Sequence, residues 1–139
     1  MKQHSQKPGY IFLLSVLVVG AVAVAITTSV LLLSTSAART GLSLEQSGEA
    51  LAYAQACADH ALLLLRADNT YAGREQMAVG SGTCEILSVG GIGNENRTLC
   101  TEGVRGDTAR RIEILIERIL PSVTISTWQE VSSFVSCSY

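Results

Sequence analysis

Tyr10-Ile-Phe-Leu-Leu-Ser-Val-Leu-Val-Val-Gly-Ala-Val-Ala-Val-Ala-Ile-Thr-Thr-Ser-Val-Leu-Leu-Leu33 decides how this chain is built. It lies inside a longer uncharged run, Pro8 to Ala38, bounded by Lys7 before it and Arg39 after it. Crossing the hydrocarbon layer of a bilayer takes about 20 apolar residues in a helix, so this stretch is long enough to span. Ser36-Ala37-Ala38 offers a small-residue cleavage site. The apolar core, however, is about twice the 7–15 residues of a signal peptide, and the segment is read as a retained span over 10–38.

Charge is distributed unevenly on either side. Both lysines, Lys2 and Lys7, precede the span, and every acidic residue lies at or beyond Glu45. Positive charge ahead of an apolar span predicts a cytoplasmic N-terminus and an exported C-terminal part. The predicted location is therefore the cytoplasmic (inner) membrane, crossed once, with residues 39–139 outside. That part is enough for one small domain. It carries eight Arg against twelve Asp and Glu, a net charge of −4, with no basic cluster. Nucleic acid is not expected as a partner, because binding it needs concentrated positive charge against phosphate. Membrane lipid is.

The helical pattern continues past the span. From Leu42 to Arg66 the chain is rich in Ala, Leu, Glu and Gln and lacks Pro. Leu51, Ala54, Ala58, Ala61, Leu62 and Leu65 form one apolar stripe at helical spacing, flanked by Cys57 and Leu64. One helix is thus predicted from about Tyr10 to Ala67, apolar all round in its first half and amphipathic in its second. A loop is expected over 68–82. From Thr83 the pattern changes to short runs between turn residues. Strands are predicted over 83–89, 97–104, 108–120 and 123–131, with a C-terminal tail over 132–139. The third is ambiguous, since Ile112, Leu115, Ile116 and Ile119 also fit a helix; isoleucine enrichment and the preceding turn favour strand. The expected fold class is α+β, a long helix packed on a four-stranded antiparallel sheet.

Motifs that suggest chemistry are weak. Arg105-Gly106-Asp107 matches an integrin-recognition tripeptide but falls where a hairpin turn is needed. Asn96-Arg97-Thr98 is a glycosylation sequon in a loop. Gly90-Gly91-Ile92-Gly93 lacks the third glycine and the flanking strand and helix of a dinucleotide site. His60 is the sole histidine beyond the span, leaving no nucleophile–base set. Trp128 has no aromatic companions and reads as a packing or rim residue. No enzyme activity, catalytic residue, metal site or cofactor is expected. Cys57, Cys84, Cys100 and Cys137 all lie in the exported part, where an even count reads as two disulfides. The rival is a metal pair from Cys57 and His60, which share a helix face.

Lys7-Pro8-Gly9 followed at once by Tyr10-Ile-Phe-Leu-Leu14 resembles a type IV prepilin N-terminus. That resemblance implies a basic leader over 1–9, removed by a prepilin peptidase between Gly9 and Tyr10, with N-methylation of Tyr10. It also implies assembly with other pilin-like subunits into a filament, a spine helix under an antiparallel sheet, and disulfides in the C-terminal region. The family usually has Glu at the fifth mature position, and here that position is Leu14. The chain accordingly resembles the minor, Glu-lacking pilins and pseudopilins of type IV pili and type II secretion-like filaments. A membrane-anchored protein whose exported domain binds a partner is the alternative.

Cys57 sits beside the helix stripe and Cys84 opens the first expected strand. This favours Cys57–Cys84 with Cys100–Cys137. A hairpin centred on Ile92 would instead place Cys84 near Cys100, leaving Cys57 for Cys137.

Overall fold

The computed structural model describes residues 8–137. Residues 1–7 of the expected leader, and Ser138 and Tyr139 of the expected tail, lie outside the described residues. One helix, α1, runs Pro8–Ala67 and is followed by five strands. Chain contacts divide into two units at Gly41 and Leu42.

In the first unit α1 is long and apolar enough to cross a membrane. Its side chains are exposed, Tyr10, Leu14 and Leu33 among them. The hydroxyls of Ser15, Thr27, Thr28, Ser29, Thr35 and Ser36 each donate to a carbonyl three or four residues back in the same helix. These polar groups are therefore satisfied inside the segment, as a helix without access to water requires.

In the second unit the helix ends where its side-chain chemistry changes. The amide and hydroxyl of Thr70 donate to the Asp68 carboxylate at 2.8 and 2.6 Å, an Asx turn that diverts the backbone from further helix. Those two bonds hold the Asp68 carboxyl below its usual pKa. The strands are β1 (Gly73–Val79), β2 (Gly82–Ser88), β3 (Glu95–Arg105), β4 (Thr108–Arg118) and β5 (Thr124–Val131). They pair in chain order as an antiparallel meander.

The sheet therefore has five strands, not four, and the segment 68–82 expected as a loop contains β1. Gly73-Arg-Glu-Gln-Met-Ala-Val79 is mostly polar and sits at the sheet edge, with only Met77 and Val79 packed against the core. An edge strand this exposed carries almost no apolar alternation to read. The ambiguous segment 108–120 is strand over Thr108–Arg118, paired with β3 along its length and with β5 on the other side.

Alternation along the strands turns Cys84, Ile86, Leu99, Thr101, Ile112, Ile114 and Ile116 into one buried layer. Ala54, Cys57, Ala58, Ala61 and Leu65 of α1 fill the layer above it. Leu51 and Leu62, placed by sequence in the same stripe, are only partly buried. The helix can lie this close because Gly103 has no side chain: a Cβ there would stand 2.1 Å from the Ala50 carbonyl and 2.5 Å from the Ala54 amide. Beside it, the Thr101 hydroxyl donates to the Ala54 carbonyl at 2.9 Å.

Candidate functional site

Gly9 and Tyr10 are adjacent in the opening turns of α1, and Leu14 follows about one turn on. The Tyr10 and Leu14 side chains are 69% and 51% exposed, so this end of the helix presents apolar surface with no carboxylate among it. The cysteines pair as Cys57–Cys84 and Cys100–Cys137. The first joins the helix to the sheet and leaves Cys57 with no thiolate for a metal. Among the described residues no cluster of His, Cys, Asp and Glu is arranged to hold one.

The second disulfide organises the opposite face of the sheet. After β5 the chain doubles back across that face, where Cys137 and Phe134 cover Leu87 and Cys100. Glu113 lies beneath this strap and is 3% exposed. Its carboxylate accepts from the Ser136 hydroxyl at 2.7 Å and from the amides of Val135 and Ser136 at 3.0 and 3.3 Å. These donors, the Ser136 hydroxyl above all, hold its pKa below the usual glutamate value despite the opposing effect of burial. Strand alternation places Glu113 away from the helix, where the sequence suggests solvent. The returning tail covers it.

A second buried charge lies near the end of the helix. Arg97, 3% exposed, has no carboxylate partner among the described residues. Its Nε donates to the Gly90 carbonyl at 2.9 Å. Nη1 donates to those of Asn69 and Gly93 at 2.6 and 3.0 Å, and Nη2 to that of Tyr71 at 3.1 Å. Burial lowers its pKa, but an arginine stays protonated within any ordinary pH range. One side chain thus ties the loop after α1 to the loop before β3. Sequence reading treats Arg97 only as the middle of a sequon. Its shared parity with Leu99 and Thr101 was the signal that it points inward. Tyr71, in the same region, has a phenol pushed up to about 12 by burial and by the nearby Glu75 carboxylate.

The remaining motifs resolve into local structure. Arg105 pairs with Glu49 and also donates to the Ser81 carbonyl at 3.0 Å, while Gly106 takes a φ of 57° in the β3–β4 turn. An Arg-Gly-Asp whose arginine is engaged this way serves the hairpin. Asn96 is exposed at a φ of 52° as β3 begins. An open groove of about 540 Å³ runs past Ser47, Arg110 and Glu130. Its polar groups bind one another, since Arg110 donates to both Ser47 and Glu130. His60 is partly exposed on the helix, and Trp128 is 41% exposed on β5. No protein-family model, curated protein or solved structure matches the chain.

Proposed function

We propose that this chain is a minor pilin-like subunit, inserted in the membrane by the first half of α1 and incorporated through it into a type IV pilus or type II secretion-like filament. One observation carries the reading. The Lys7-Pro8-Gly9 segment abuts Tyr10 at the start of the uncharged first part of a helix, and that helix continues without a break through Ala67. A plain membrane anchor has no need of such a junction or of such continuity. On this reading the leader is cut after Gly9 by a prepilin peptidase, Tyr10 becomes the methylated N-terminus, and the second unit lies outside the cytoplasm. The partners are membrane lipid and sister subunits.

Leu14 sets the place of the chain in the assembly. A carboxylate in an apolar core is costly unless paired. Leucine removes that cost, and with it the attraction that would register one N-terminal amine against the next subunit. A subunit of this kind is rare in the filament and does not polymerise alone.

Intact-mass spectrometry of protein from native membranes tests the reading. A chain beginning at methylated Tyr10 is expected. A chain that keeps Met1 supports the alternative of a permanent single-pass anchor with a partner-binding domain, and one that begins near Arg39 removes both. Abundant filaments from cells lacking sister pilins would overturn the minor-subunit assignment.

A further inference from the structure

The two free edges of the sheet are built differently. Strand β1 begins with Gly73 and Arg74 at φ values of 73° and 66°, a local distortion of the kind that ends regular pairing. It also places exposed Arg74 and Glu75 along its margin. Charge and irregular backbone are the usual means of keeping an edge from recruiting another strand. Strand β5 has neither along most of its length. Thr124-Ile-Ser-Thr-Trp-Gln-Glu-Val131 holds no lysine or proline, and its single charge, Glu130, is paired with Arg110. Register shifts against β4 fall toward the Thr124 end, leaving Thr127–Val131 in regular pairing with Arg111–Leu115.

Among the described residues β5 pairs with no strand on its other side. The tail that follows it crosses the sheet face to Cys100 on β3, and most residues of β5 stay exposed. Ile125 and Trp128 remain 36% and 41% exposed on the helix side of the strand. Outward-directed amides and carbonyls in a row match only another extended backbone, so the edge itself defines the class of its partner.

We propose that the β5 edge is a strand-addition site for an extended segment of a different protein. The segment is uncharged where it lies along Thr127–Val131, places an apolar side chain beside Trp128, and has neutral or basic flanks. Charge selects this occupant over a second copy. The second unit, residues 42–139, carries seven Arg against twelve Asp and Glu, a net charge of −5, so two such units repel as they approach while a basic flank is attracted. The site does not depend on leader cleavage.

Hydrogen–deuterium exchange on the full-length chain in lipid nanodiscs tests this with two synthetic peptides. Both are alternating Thr-Val heptamers, one ending in two lysines and the other in two glutamates. With the lysine peptide at saturation, the outward-directed amides within 127–131 are expected to exchange about tenfold more slowly, as paired strand amides do, with β1 unchanged. The glutamate peptide should need several-fold higher concentration at low salt. Trp128→Lys, a charge of the kind that guards natural edges, should abolish the protection while leaving the thermal midpoint in place. If that variant loses stability, the comparison of the two peptides on the unaltered chain still decides. No protection, equal protection of β1, or equal effects of both peptides would overturn the proposal. So would protection that grows with protein concentration in the absence of peptide, which would mark a second copy as the occupant.

Discussion

Ser136 donates its hydroxyl to the Glu113 carboxylate across 2.7 Å, closing the C-terminal tail over the face of the sheet that the helix does not cover. Two backbone amides, of Val135 and Ser136, join it on the same carboxylate. Because these bonds favour the ionised form, the folded pKa of Glu113 lies below its unfolded value. Their contribution is therefore complete above the ordinary glutamate range and is lost as pH falls through the folded pKa. Amides of the 132–137 strap should exchange faster below about pH 4. Glu113→Gln should loosen the strap at neutral pH by about 1–3 kcal/mol and flatten this acid dependence. Exchange measured from pH 3 to 7 on both proteins checks it. A strap whose exchange, corrected for the intrinsic pH effect, is the same at both ends would refute the latch.

Arg97 spans four carbonyls with a fork that lysine cannot reproduce. Arg97→Lys should lower stability by about 2 kcal/mol. Arg97→Met, which removes the arginine donor from the carbonyls of Asn69, Tyr71 and Gly93 and leaves that of Gly90 with only the Thr98 amide, should lower it by about 3 kcal/mol or more. Denaturant titration gives the order of the two variants. Lysine restoring full stability would mean that charge, and not geometry, joins the loops.

Glycine at two positions serves two different needs. At Gly103 an added methyl meets helix backbone at 2.1 and 2.5 Å, so Gly103→Ala must push α1 away from the sheet, at a cost of about 3 kcal/mol. At Gly93 the space is open and only the φ of 76° opposes a side chain. There Gly93→Ala should cost about 1 kcal/mol. Thermal melts of both should show the larger loss at Gly103. The reverse order would place the helix farther from β3 than described.

The two disulfides should be separable by where their loss is felt. Each closes a loop of some thirty residues, with separations of 27 and 37, and chain entropy assigns each about 3–4 kcal/mol. Removing Cys57 and Cys84 together as alanines should lower the global midpoint, since that bridge joins α1 to β2 inside the core. Removing Cys100 and Cys137 should act first on the 132–137 strap, raising its exchange before the core melts. Mass-resolved exchange separates these outcomes, and uniform loosening in both variants would contradict them.

Features that depend on neighbours in the chain were legible without coordinates. The apolar span, the stripe of Ala54, Ala58, Ala61 and Leu65, and the alternation of Ile112, Ile114 and Ile116 repeat at the periods of helix and strand. The turn at Gly106-Asp107 follows from residues that suit tight turns. Strand β1 escaped because only Met77 and Val79 of its seven residues pack against the core, too few to set a readable period.

What only the tertiary structure decided are the groups whose environment is supplied from far along the chain. Glu113 and Arg97 are charged residues whose hydrogen-bond partners lie in distant segments. The first is buried by a tail 22 or more residues later, and the second by carbonyls from two loops. Of the possible cysteine pairings, one was selected by how the helix and the tail meet the sheet. The unguarded edge of β5 likewise appears only when strand order is known. The sequence by itself determined the helix, four of the five strands and the segment apolar enough for a membrane, because those properties follow from nearest-neighbour periodicity. Packing decided which charges are buried and which edge is left open, because both depend on segments brought together from distant parts of the chain.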